Sequence, residues 1–257
     1  MISMIEPRLW LAVGALAQRW SVMTRMLVLS AFVLPFAGAA ERRVKPTAPA
    51  IIPDLPTMMT QRSKVLVNES FSNDTWTKLL KSGKTDLLLG DGALRIAPQE
   101  GAGHAPQISH YARVTDVVIQ VRFQLDGAKW MNVQVADNKT PENLAAVGVD
   151  PRRITLSSIT GWGRTTRYTT VRSTPFVGDP AGWHTLLVEW CGNECLVRFD
   201  DKLILHGEAI HFGLPKGQLS FNSSGGGVRY DDVRIWEAVP DPAWAKRKGE
   251  VLKTLPR

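Results

Sequence analysis

A chain of 257 residues, 44% of them hydrophobic, is long enough to bury one substantial core. Its formal net charge is +7, of which +5 remains beyond Ala40, scattered and without a run of Lys and Arg interleaved with aromatics. That pattern argues against nucleic acid as a partner and goes no further than a weak attraction to acidic surfaces or acidic glycans.

In chain order, the first signal is the apolar run from Met26 to Phe36, preceded by Arg25 and followed by the small residues Ala37-Gly38-Ala39-Ala40. This is the layout of a secretory signal peptide over residues 1–40, with residues 1–22 either a long n-region or an over-extended start. Two buried helices over Leu9–Ala17 and Met26–Ala40 are the alternative. The run falls short of the roughly 20 apolar residues a spanning helix needs, so no integral membrane segment is expected once the signal is removed. The expected location is secreted, periplasmic or on the cell envelope. Residues 41–63 carry Pro46, Pro49, Pro53 and Pro56 among small and polar residues, which predicts a stiff, extended linker.

Strand signals then run over residues 64–237. Thr85–Leu89 and Ala93–Ile96 flank Gly90-Asp91-Gly92, a hairpin turn. Val117, Ile119, Val121 and Phe123 alternate with Val118, Gln120, Arg122 and Gln124, giving a strand with one apolar face. Asp126-Gly127 turns the chain into Met131–Ala136, and Leu144–Val149 and Arg153–Ile159 follow on either side of Asp150-Pro151. Residues 161–182 read as a long loop with one strand at Arg167–Val171. From Gly182 to His206 the spacing predicts a three-strand meander. A Gly192-Asn193 turn sets Val188 opposite Val197 and Leu186 opposite Phe199, and Asp200-Asp201 sits at a second two-residue turn. Such a meander is expected in the middle of an antiparallel sheet, and His184 within it is expected inward as a satisfied buried group. Gln218–Asn222 and Val228–Trp236 close a count of roughly a dozen short strands, the signature of a sandwich or barrel. Over residues 238–257, Asp241-Pro242 opens a basic tail or short helix.

Cys191 and Cys195 are the only cysteines, and in an exported chain a disulfide is the default. A three-residue loop would permit the bridge. The two-residue Gly192-Asn193 turn would set the cysteines on opposite faces.

Taken together, Phe71…Trp76, Asp91-Gly92-Ala93-Leu94, Thr115-Asp116…Arg122-Phe123, Trp183-His184-Thr185-Leu186, Asp200-Asp201-Lys202 and Gly217-Gln218-Leu219-Ser220…Tyr230-Asp231-Asp232-Val233-Arg234-Ile235 resemble concanavalin A-like jelly-roll domains. The order is most similar to the 3-keto-disaccharide hydrolase domain family. The resemblance implies an all-β jelly-roll sandwich of two antiparallel sheets, with a ligand groove on a concave side. It also implies a structural calcium held partly by Asp231, although no cofactor is required. Where that family often has a strand of Glu-Val-Gln pattern, this chain has Asn132-Val133-Gln134, an amide in place of the carboxylate. No Glu-x-Asp-x-x-Glu strand is present either. The catalytic residues are therefore unknown, with Asp137 and Glu142 the nearest carboxylates.

Sugar recognition needs flat aromatic faces and planar polar groups. Trp130, Asn132 and Gln134 share one strand face. With Trp162, Arg164 and Tyr168 as a rim, they are the candidate carbohydrate-binding residues. Three readings follow: an exported carbohydrate-binding sandwich, a glycoside hydrolase acting on a disaccharide or polysaccharide, or a non-catalytic structural or adhesion module. Two facing carboxylates would favour the enzyme, aromatics with amides the binder, and a groove filled by its own loops the scaffold.

Overall fold

The computed structural model describes residues 52–83 and 85–256. The expected signal peptide and the first part of the expected linker lie outside the described residues. In chain order the elements are β1 (Thr60–Glu69), the one-turn α1 (Trp76–Leu79), β2 (Lys81–Ser82), β3 (Thr85–Gly90), β4 (Ala93–Pro98), β5 (Gln107–Val114), β6 (Val117–Gln124) and β7 (Ala128–Asp137). Then follow β8 (Asn143–Asp150), β9 (Arg153–Thr160), β10 (Arg167–Pro175), β11 (His184–Cys191), β12 (Glu194–Phe199), β13 (Lys202–Glu208), β14 (Lys216–Gly225), β15 (Val228–Pro240) and α2 (Trp244–Leu252).

These strands form two antiparallel sheets. The eight-stranded sheet runs β13-β12-β11-β6-β15-β4-β3, with β1 paired to the second half of β15. The seven-stranded sheet runs β10-β9-β8-β7-β14-β5-β2. Their facing sides make one core. Ile119, Val121, Phe123, Val188, Val197 and Ile235 from the first sheet and Met131, Val133, Val135, Leu156, Leu219 and Phe221 from the second are all fully buried. Burying a side chain of this size contributes about 1.5–3 kcal/mol, so alternation at one residue in two commits each strand to its register.

The predicted turns form as read. Asp91 and Gly92 both take positive φ in the β3–β4 hairpin, as do Asp200 and Asp201 between β12 and β13. In the first meander hairpin Val188 pairs with Val197 and Leu186 with Phe199. One expectation is corrected: the meander β11-β12-β13 makes one end of its sheet, not the middle. Its outer side is buried instead by chain ends. Trp244 of α2 packs with Met59, Leu196 and Leu203.

A second correction follows from the same register. Cys191 pairs with Glu194 and Cys195 with Trp190, so the two-residue turn sends the cysteines to opposite faces, and both are free thiols. Cβ atoms on opposite faces cannot come within bridging distance. Burial, with Asp116 beside it, pushes the Cys191 thiol up to about 12, and burial also raises Cys195.

From Ile52 onward the segment expected to be a linker is tied down on the sheet. Leu55 N donates to Gln120 Oε1 at 2.9 Å, Gln120 Nε2 donates to Pro53 O at 3.2 Å, and Arg234 pairs with Asp54 at 2.6 Å. Glu189, wholly buried on β11, accepts from Met58 N, Met59 N, Thr60 N and Thr60 Oγ1 at 2.7–2.9 Å. Residues 52–60 thus form a strap across the outer face of the eight-stranded sheet.

Candidate functional site

With one outer face covered, the outer face of the seven-stranded sheet is the other large surface. Strand alternation decides what it displays. In β7, Met131, Val133 and Val135 turn into the core, which sends Trp130, Asn132 and Gln134 outward. Register then builds rows across the sheet. Asn222, Asn132, Gly148 and Thr155 lie side by side, as do Ser220, Gln134, Ala146, Ser157 and Thr170. Apart from Ala146 and Gly148, every residue in these two rows is polar.

A cleft of about 400 Å³ opens on this face, with Trp130 and Tyr168 among its walls and Asn132, Gly148, Thr155, Ser157 and Thr170 along its floor. Gly148 lowers that floor. A Cβ built there meets nothing nearer than Thr155 O at 4.0 Å, so the recess exists because the residue has no side chain. Asn132 Oδ1 accepts from Asn222 Nδ2 at 2.8 Å, which fixes the amide and leaves its nitrogen as a donor.

Of the six residues singled out from sequence, Trp130, Asn132 and Tyr168 line this one cleft. Gln134 shares the face one row along, but its Nε2 donates to Asn143 Oδ1 at 2.5 Å. Trp162, 63% exposed, and Arg164 sit at the β9–β10 turn, at the far end of β9 from the Trp130 row. Seven strand steps put them about 23 Å along the face. Gly148, Thr155, Ser157 and Thr170 were not singled out from sequence. Their outward alternation was available as a signal, but which strand lies beside β7 was not.

The carboxylates near this face do not make an acid and base pair. Asp150 is the one carboxylate lining the cleft, and its Oδ1 accepts from Arg152 N at 2.8 Å and Arg153 N at 3.2 Å within the β8–β9 turn. Asp137 caps another turn, accepting from Thr140 Oγ1 at 2.7 Å and Lys139 N at 3.3 Å. Burial pushes its carboxyl up, but the Thr140 hydroxyl and the amides of Lys139, Asn138 and Thr140 outweigh it, so the group lies below its ordinary value, wrong for an acid at neutral pH.

Asp231 does not fit a calcium ion. Its carboxylate is 2% exposed, with Oδ2 paired to Arg122 Nη1 at 3.2 Å and Oδ1 accepting from Asp232 N at 2.8 Å, so a guanidinium holds the cation's place. The neighbouring Asp232 carboxylate is likewise engaged by Arg234 and Ile52 N. Elsewhere, Glu194, His206 and Glu208 converge within 4.8 Å, but Lys248 Nζ sits 2.9 Å from Glu194 and 2.7 Å from Glu208, so an ammonium already bridges the two carboxylates. His184 is buried, with Nδ1 2.7 Å from Asp200 Oδ2 and Nε2 2.7 Å from Asp179 O, the satisfied internal group expected of it.

The fold is the concanavalin A-like jelly roll. Similar solved structures include a carbohydrate-binding module from Bacillus subtilis, at 12% identity and TM-score 0.51 over 62% of this chain and 95% of that one. LamA from Zobellia galactanivorans, in complex with laminaritriose and laminaritetraose, aligns at 14% identity and TM-score 0.50 over 69% of this chain and 100% of that one. The Crh5 transglycosylase aligns at 15% identity and TM-score 0.53 over 72% of this chain and 89% of that one. At such identities the likeness carries the architecture alone. No family model and no curated protein matches the chain. The finer likeness to 3-keto-disaccharide hydrolase domains therefore rests on the sequence motifs. Among the described residues no helix is long and apolar enough to cross a membrane.

Proposed function

We propose that this protein is an exported carbohydrate-binding β-sandwich, taking a glycan on the outer face of its seven-stranded sheet. The observation that carries the reading is the cleft itself, with Trp130 and Tyr168 as aromatic walls and a recessed floor of amide and hydroxyl groups. Aromatic rings stack on the apolar faces of sugars, and fixed amides and hydroxyls read their hydroxyl groups. The jelly-roll neighbours, a carbohydrate-binding module and glucan-processing enzymes among them, support the same class of ligand. Binding is favoured over hydrolysis because glycosidic cleavage generally needs two carboxylates about 5–10 Å apart across the bond. The single cleft carboxylate, Asp150, is held in a turn.

The test is a glycan-array screen followed by titration calorimetry, with Trp130→Ala and Gly148→Leu beside the parent protein. Trp130→Ala removes the stacking wall, and Gly148→Leu fills a recess that has room for a side chain. Saturable binding abolished by both, with folded proteins throughout, is the expected result. Binding that survives Gly148→Leu moves the site elsewhere, and product formation from a bound sugar restores the hydrolase reading. Tyr168→Ala, opposite Ile159 and so about 20 Å along the face from the Trp130 row, separates a short ligand at Trp130 from one that runs the length of β9.

A further inference from the structure

A second cavity, of about 700 Å³, adjoins the cleft and shares Trp130, Asp150 and Arg153 with it. Its remaining lining is Lys129, Pro151 and Arg152. Trp130 therefore lines both the cleft with its polar floor and a chamber that holds three cations. Three cations meet one carboxylate there. The Asp150 carboxylate is already occupied by two backbone amides, and its one cationic partner, Arg153 Nε, is 3.4 Å away on a side chain 67% exposed. Lys129 and Arg152 have no carboxylate within ion-pair distance among the described residues.

Cations without an ion pair are common among the described residues, while Arg95, Arg122, Arg198, Arg229, Arg234, Arg247 and Lys248 are each paired with an acidic group, so what marks this group is its convergence in one cavity beside Trp130. Unpaired cations converging beside a stacking aromatic fit a ligand that combines a sugar face with negative charge. Guanidinium and ammonium groups bind a planar carboxylate or a sulfate ester by charge-assisted hydrogen bonds, with Arg able to engage two oxygens at once.

Resting on the carbohydrate reading above, we propose that the glycan is anionic, and that Lys129, Arg152 and Arg153 receive a uronate carboxylate or a sulfate ester at the Trp130 end of the cleft. The experiment uses an array of matched neutral, uronic-acid and sulfated glycans, followed by calorimetry on the tightest binder at 50 and 500 mM NaCl. The full chain is compared with Lys129→Ala/Arg152→Ala and Trp130→Ala. Anionic glycans are expected to bind about tenfold or more tighter than their neutral counterparts, the value of one well-made charged hydrogen bond. That advantage should shrink at high salt and fall in the double variant, which keeps only Arg153 of the three cations and whose neutral-glycan affinity stays unchanged. The uronate and sulfate arms identify which group is taken. Equal affinity for neutral and anionic glycans, both lost with Trp130→Ala, overturns the proposal and leaves the site reading standing. Equal binding of a single-stranded DNA oligomer of matching charge overturns it by showing an unselective basic patch. Binding of no glycan by the folded protein overturns both readings.

Discussion

Gln120, Glu189, Arg198 and Arg234 on the outer face of the eight-stranded sheet are each under a tenth exposed, although each is of a type that ordinarily faces water. Across the sandwich, the outer face of the seven-stranded sheet carries Asn132, Gln134, Ser157, Ser220 and Asn222, also polar and also little exposed, yet with a cleft open between Trp130 and Tyr168. The first face is covered by distant chain over Gln120, Glu189 and Arg198, with a cavity of about 580 Å³ left beside Arg234 and Trp236. Arg198 donates to Pro56 O, Gln120 and Glu189 accept from the strap, and α2 lays Trp244 over Leu196 and Leu203. The second face satisfies its polar groups mostly sideways, amide to amide and hydroxyl, as Asn222 does with Asn132 and Ser220. A face whose polar groups need a strap to satisfy them is structural. One whose groups are paired in plane and still leave a recess is free to receive a ligand.

The largest effect that would break this contrast is expected from Glu189→Ala. It leaves the amides of Met58, Met59 and Thr60 without their acceptor in a buried setting, which costs about 3–5 kcal/mol and lowers Tm by roughly 10 °C. Limited proteolysis N-terminal to Thr60 should accelerate in the same variant. A thermal melt within 2 °C of the parent would mean that the strap is incidental. Trp244→Ala should follow, at about 3 kcal/mol by urea denaturation, because it empties the apolar patch under α2.

Acidification gives a smaller and more local effect on the closed face. Burial pushes the Glu194 carboxyl up, but hydrogen bonds from Lys248, His206 and Trp244 outweigh it and hold the group below its ordinary value. A lowered carboxyl contributes stability above its unfolded pKa of 4.5 and loses it as pH falls through the folded value. Hydrogen-exchange protection of Trp244–Leu252 should therefore drop below about pH 4.5 relative to the core strands, and Glu194→Gln should remove most of that dependence. The smallest stability change, under about 1 kcal/mol, is expected of Gly148→Leu on the open face, where the new side chain enters empty space. Its loss of glycan affinity beside an unaltered melt would sharpen the difference between a structural face and a receptive one.

Much of the architecture was legible because it is written in local pattern. The alternation in Val117–Phe123, the Asp-Gly and Asp-Asp turns that tolerate positive φ, and the pairing of Val188 with Val197 are decided within a few residues. The same locality made Trp130, Asn132 and Gln134 visible as one face. The cysteines show the limit of a compositional default, since the one-residue difference between two turn lengths decides whether Cβ atoms oppose, and the turn's own preference prevailed.

By itself, then, the sequence determined the strands and their inward faces, because period-two burial and turn chemistry act between near neighbours, and the jelly-roll class entered through the resemblance of its motifs. Only the tertiary structure decided how each outer face is covered. The groups that close one of them are far apart in sequence: Glu189 meets Met58, Arg234 meets Asp54, and Trp244 lies over Leu196. The cleft arises the same way. Trp130 and Tyr168 are brought to one recess by the order β7-β8-β9-β10, and that order follows from the burial of both sheets against each other rather than from any single stretch of chain.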